Sequence, residues 1–97
     1  MTITTLTNGP RMRLEVSGDL TIAEAAEARN ALALALTTSE TLELDLGALE
    51  NIDIAGVQIL LALLLENHPV SLKNPSTALQ RVVSLLRLDA LQSRFVQ

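Results

Sequence analysis

Apolar and polar residues alternate strictly along three stretches of the chain. In Met12-Arg13-Leu14-Glu15-Val16-Ser17, one face carries Met12, Leu14 and Val16. Thr41-Leu42-Glu43-Leu44-Asp45-Leu46 puts three leucines on one face, and Val70-Ser71-Leu72-Lys73 is a shorter copy. A period of two predicts half-buried strands. Ile3 to Thr7 is Thr-rich and less regular, but Asn8-Gly9-Pro10 follows it as a turn. This predicts a hairpin from a first strand into the second.

Between the strands the period lengthens. Thr21 with Glu24 matches a capping box, and Ile22, Ala25, Ala28, Leu32 and Leu36 follow at helical spacing. Ala31 to Leu36 also alternates with period two. Ala and Leu are strong helix formers, so the segment is assigned to the helix. Asp53 is a natural N-cap for a helix from Ile54 to Asn67, ahead of Pro69. Asn74-Pro75 sets a cap and an N1 proline for a helix to about Leu86. Asp89 is placed to cap a last short helix containing Leu91 and Phe95.

The expected fold is α/β, in the order β-β-α-β-α-β-α-α, with residues 1–97 as one domain. The βαβ steps imply parallel strands with right-handed crossovers beside an antiparallel first hairpin. A sheet covered on both faces has continuous apolar strands rather than alternating ones. Here Arg13, Glu15, Glu43, Asp45, Ser71 and Lys73 occupy the second face. The expectation is a two-layer, mixed sheet of four to five strands, with about four helices packed mainly on one face and the other face wet. The helix from Ile54 is apolar nearly all round, so it should be the most buried one, or one side should meet a partner.

Composition narrows the function. Of the 97 residues 48% are hydrophobic, with 21 Leu and 12 Ala, a composition that argues against disorder. Phe95 is the only aromatic residue, so no stacking platform for nucleic-acid bases exists. A net charge of −4 also argues against nucleic acid and anionic membranes as partners. No cysteine is present, which removes disulfides, thiolate zinc sites and cysteine nucleophiles. The N-terminus lacks the pattern of a signal peptide, and Ile52 to Leu65 is too short to span a bilayer. The expected location is the cytoplasm.

No catalytic constellation is evident, so the chain is expected not to be an enzyme and to need no cofactor or metal. His68 is alone in a turn; Glu43 and Asp45 share the wet face of a strand; Gly18 and Gly47 sit at strand ends. One segment is different. Asn51-Ile52-Asp53-Ile54-Ala55-Gly56-Val57-Gln58-Ile59-Leu60 follows a strand and opens a helix, with a bare first turn at Ala55 and Gly56. Free N–H groups and the positive dipole end gather there.

Several runs, taken together, resemble a STAS domain, the family of the anti-sigma factor antagonists and of the cytoplasmic tails of sulphate transporters. They are Val16-Ser17-Gly18-Asp19-Leu20-Thr21, Leu44-Asp45-Leu46, Ile52 through Ala62, Leu72-Lys73-Asn74-Pro75-Ser76 and Leu85-Leu86-Arg87-Leu88. The most specific is Asp53-Ile54-Ala55-Gly56-Val57-Gln58-Ile59-Leu60-Leu61-Ala62. The short, stand-alone bacterial members associated with chemosensory or partner-switching systems are the most similar.

The resemblance implies a protein-interaction module in signal transduction or the regulation of transcription. In the family the residue after the Asp is commonly a Ser or Thr phosphorylated by a partner kinase. Here Ile54 holds that phosphoacceptor-equivalent position, and Ala55 follows it, so phosphoryl switching at this spot is chemically excluded. Thr21 stands where many members carry Asp. The implied docking surface comprises Thr21, Asp53, Ile54, Ala55, Gly56, Val57 and Asn74, with Ile54 and Val57 as its apolar contact. The implied partner is an anti-sigma factor or kinase-like protein, a chemosensory component, or the ATPase of a lipid-transporting ABC complex in which this chain is a small regulatory subunit. Direct membrane insertion is not expected, and a homodimer stays open.

Overall fold

The computed structural model describes residues 1–96. Six strands and four helices follow in the order β1 (Thr2–Thr7), β2 (Arg11–Leu20), α1 (Ala25–Thr38), β3 (Thr41–Asp45), β4 (Leu49–Ile52), α2 (Ile54–Leu65), β5 (Val70–Lys73), α3 (Thr77–Leu85), α4 (Asp89–Gln92) and β6 (Phe95–Val96). The sheet runs β1-β2-β3-β5-β6, and β4 pairs with the far end of β2. The first hairpin is antiparallel and every other pairing is parallel.

Alternation is what makes the sheet one-sided. Met12, Leu14, Val16, Leu42, Leu44, Val70 and Leu72 are all buried in a single apolar cluster. The same cluster takes Ala25, Ala28 and Leu32 from α1, Val57, Leu60 and Leu63 from α2, and Leu79, Val83 and Leu91 from α3 and α4. On the opposite face, Arg13 pairs in register with Glu43, and Asp45 with Lys73. Arg13 Nε donates to Glu43 Oε2 at 2.8 Å. Arg13 is exposed, whereas Glu15, Glu43, Asp45 and Lys73 are half-buried rather than fully exposed as expected. Glu43 is held by Arg13, and Asp45 Oδ1 accepts from Gly47 N–H at 2.9 Å.

Two of the six strands, β4 and β6, are absent from the expected element order, and both have a physical reason. In β4 the buried residues are Leu49 and Ile52, three apart, because its register against β2 shifts between Gly18 and Asp19. Gly18 sits at φ +80°, in the left-handed region that favours glycine, and its N–H donates to the Ala48 carbonyl at 3.0 Å. β6 is only two residues long and exists through pairing with β5, Leu72 opposite Phe95 and Lys73 opposite Val96. Phe95 therefore folds back onto the body as strand, not within the last helix.

Helix starts also differ from the expected ones. Ile22 is 74% exposed and outside the helix, which begins at Ala25. Thr21 Oγ1 donates to Glu24 Oε2 at 2.9 Å, a side-chain link that does not cap the helix backbone. The alternating Ala31–Leu36 run is helical, as propensity required. For α3 the cap is Ser76, whose Oγ accepts from Leu79 N–H at 3.1 Å, and Asn74 lies ahead of it at φ +52°. α2 ends at Leu65, two residues short of Asn67.

Aliphatic burial carries the stability. Leu60 is fully buried while Leu64 is half-buried. Leu60→Ala is expected to cost about 2–5 kcal/mol. Leu64→Ala should cost clearly less, because solvent can fill the space left. Urea melts of the two variants check the ranking.

Candidate functional site

The parallel strands β2, β3, β4 and β5 all end at the same edge of the sheet, where α1, α2 and α3 begin. The segment singled out by its sequence lies there. Asp53 has extended backbone (φ −119°, ψ −172°) and caps α2. Its Oδ1 accepts from Gly56 N–H at 3.1 Å, and its Oδ2 accepts from Ile22 N–H at 2.9 Å. One carboxylate thus closes the first turn of α2 and holds the β2–α1 loop against it. These N–H donors, Ile22 first and Gly56 second, hold the Asp53 carboxyl below its ordinary value of 3.8, against a smaller opposing effect of desolvation.

Gly56 makes that approach feasible. A Cβ here would collide with the Leu20 carbonyl oxygen and come within 2.7 Å of Ile52 Cγ1. The start of α2 can lie against the end of β2 only while position 56 has no side chain. Nearby, Asn51 Nδ2 donates to Asp19 Oδ1 at 2.7 Å and fastens the ends of β4 and β2 together.

Around Asp53 the surface is apolar. Ile54 is the first residue of α2 and is 59% exposed; Ile22 is exposed across the Asp53 bridge. Behind Ile54 lies a groove of about 250 Å³ lined by Ile54, Val57, Gln58, Leu61, Leu86 and Leu88. Leu85 and Leu86 are exposed at the end of α3. The chain turns there with Arg87 at φ +53° and leads Leu88 into the groove wall. Residues 53–56 hold no hydroxyl group.

The seven implied site residues do not all gather at this surface. Thr21, Asp53 and Ile54 do, through the Ile22–Asp53 hydrogen bond. Ala55 is half-buried and Gly56 buried beneath them. Val57 is only 2% exposed, so it forms groove floor rather than a projecting contact beside Ile54. Asn74 is engaged elsewhere on the same sheet edge. Its N–H donates to the Val96 carbonyl at 2.6 Å, and its Nδ2 lies 3.4 Å from Asp45 Oδ1. Leu86 and Leu88 were not singled out as surface residues from sequence. The available signal was Leu85-Leu86-Arg87-Leu88, an apolar run continuing past the end of a helix.

Other candidate groups have structural surroundings. His68 is half-buried with Nε2 3.3 Å from Ser39 Oγ, joining the end of α1 to the α2–β5 turn. Among the described residues no group of three His, Cys, Asp or Glu side chains could hold a metal ion. Among the described residues no helix is long and apolar enough to cross a membrane.

Comparison with known proteins places this geometry. The family model described as "Mlab, STAS domain" matches residues 3–95. The anti-sigma factor antagonist SpoIIAA in its unphosphorylated form superposes with a TM-score of 0.77 at 16% identity, over 99% of this chain and 88% of that one. An anti-sigma factor antagonist from Mycobacterium paratuberculosis gives 0.76 at 22% identity, over 92% and 80%. The phosphorylated form of the Bacillus cell fate determinant SpoIIAA gives 0.73 at 16% identity, over 99% and 91%. At these identities the likeness is one of fold. No curated protein matches the chain.

Two outcomes test the Asp53 bridge and the close approach at Gly56. Gly56→Ala should destabilise the fold by about 1–3 kcal/mol, since backbone rather than a flexible side chain blocks the added methyl. Thermal melts measure it. Asp53 has a lowered folded pKa, so its charge contributes stability above the unfolded value and loses it as pH falls through the folded value. The advantage of wild type over Asp53→Asn should be constant near neutrality and shrink below about pH 3.8. Melts of both proteins across the acid range read this directly.

Proposed function

The chain belongs to the STAS domain family, and we propose that within it this protein is a non-enzymatic interaction module of the anti-sigma factor antagonist or chemosensory kind, with no phosphoryl switch at Ile54. The observation that carries this reading is the apolar groove opening beside a charged helix cap. A docking site needs desolvatable apolar area at its centre and a polar group that fixes register at its rim. Ile54 and Leu86 supply the first, and Asp53 the second. Thr21 stands on the loop that Asp53 holds, so its position depends on the same bond.

Loss of the hydroxyl changes what such a surface does. A phosphate at the start of α2 would bring about two negative charges beside Asp53 and disrupt apolar docking. Ile54 cannot accept one, so the surface stays in its binding-competent state. The family's partner type, an anti-sigma factor or related kinase-like protein acting in the bacterial cytoplasm, fits this role. Asn74, on the same sheet edge, is assigned to the periphery of the surface because it is bonded to β6 rather than facing the groove.

A second reading is a small regulatory subunit of a lipid-transporting ABC complex, docked on its ATPase. The specific support is the same isoleucine: a permanently docked subunit needs no phosphorylatable group, and an apolar side chain at the centre of the contact favours persistence.

Ile54→Glu separates folding from docking. Ile54 is largely exposed, and a negative charge in the first turn of a helix is favourable by about 0.3–1 kcal/mol. The variant should melt near wild type and lose the partner that wild type captures from its host. Retained capture by a folded Ile54→Glu would move the docking surface elsewhere. The captured protein, a sigma-regulating or chemosensory component against a transporter ATPase, decides between the two readings. Where the captured partner is a kinase, incubation with it and ATP should leave residues 53–56 unmodified in wild type, whereas Ile54→Ser should accept phosphate.

A further inference from the structure

Among the described residues both side edges of the sheet are open, and they are unlike each other. β6 is two residues long, a short edge of the kind that resists further pairing. β1 is six residues of Thr-Ile-Thr-Thr-Leu-Thr, mostly exposed, and pairs only with β2. Its outer edge presents unpaired N–H and C=O groups. Within the strand there is no Lys, Pro or other charged residue to discourage pairing. Its register irregularity falls between Thr5 and Thr7, which leaves Thr2–Thr5 regular against Ser17–Leu14.

The helix layer behind this edge is equally free of charge. α1 carries no charged residue after Arg29, and the next one in the chain is Glu40. A groove of about 260 Å³ runs between the two elements, lined by Ile3, Thr5 and Met12 on the sheet side and Ala31 and Leu34 on the helix side. Leu34 is 65% exposed at its rim.

We propose that this edge is a homodimer interface, in which β1 of one copy pairs antiparallel with β1 of a second copy about a two-fold axis. A two-fold contact brings each residue close to its own counterpart, so any charge there meets a like charge. The chain's net charge is −4, and copies repel on average. β1 and the second half of α1 form a face on which that repulsion is absent. The nearest acid, Glu15 opposite Thr4 on β2, is separated from its counterpart by at least three strand spacings. That is about 14 Å, beyond the screening length of about 8 Å at physiological salt. The pairing also satisfies the outer backbone groups of both strands at once. The sheets then join into one, with both helix layers on the same side, and each Leu34 approaches the partner's groove.

The surface is distinct from the groove beside Ile54, so the two can be tested separately. Light scattering after size-exclusion chromatography should give wild type twice the chain's 10.4 kDa. Thr4→Lys places a cation near the two-fold axis and next to Glu15 of its own chain; Leu34→Glu places an acid at the groove rim. Both sites are exposed, so both variants should keep the wild-type circular dichroism spectrum and run as monomers. Leu85→Glu, at the other surface, should remain dimeric. Hydrogen exchange of the β1 amides should slow as wild type is concentrated. Monomeric wild type, a dimer that survives both Thr4→Lys and Leu34→Glu, or exchange in β1 that ignores concentration would overturn the proposal.

Discussion

One carboxylate decides how the sheet edge is built. Asp53 accepts from Gly56 within its own helix and from Ile22 on the preceding loop. Either bond alone would be ordinary. Together they convert a helix cap into a tie between two loops that would otherwise move independently. The tie needs the start of α2 to lie against Leu20, and only the missing side chain at position 56 allows that. The exposed isoleucines on either side are therefore held in a fixed relation by backbone geometry, not by packing against each other.

That fixed relation explains why an apolar surface can persist in water here. An exposed aliphatic residue on a mobile loop would collapse onto the nearest apolar neighbour. Ile54 cannot, because it begins a helix whose inner face is committed to the core through Val57 and Leu60. The outer face of α2 has no such commitment. Its sequence, apolar nearly all round, serves two surfaces at once: a core beneath and a groove above. The same fold is found in the anti-sigma factor antagonist SpoIIAA.

Much of this was legible in the sequence, for reasons that can be named. Strict alternation in β2, β3 and β5 located the core face because parallel pairing kept their registers regular. Asp53 was recognisable as a cap because the cap is local, needing only the residue and its next turn. What escaped depended on distant partners. β4 is irregular because Gly18, about thirty residues away, bends the strand it pairs with. β6 exists because β5 offers it an edge. Ser76 rather than Asn74 caps α3, which starts at Thr77, while the Asn74 side chain lies beside Asp45. The groove beside Ile54 needed Leu86 and Leu88, and no local pattern ties them to α2.

β2 is the longest strand, and it alone pairs with three others. Only the β1 pairing is a local hairpin; β3 and β4 join β2 from about thirty residues downstream. Closing such long loops costs entropy before the contacts formed can offset it, which slows folding. During synthesis the first hairpin emerges with its apolar face bare, since the strands and helices that cover it have yet to be made. The order of translation thus leaves Met12, Leu14 and Val16 uncovered until the later elements are made, and the same central strand that organises the finished sheet depends on protection while the chain is still growing.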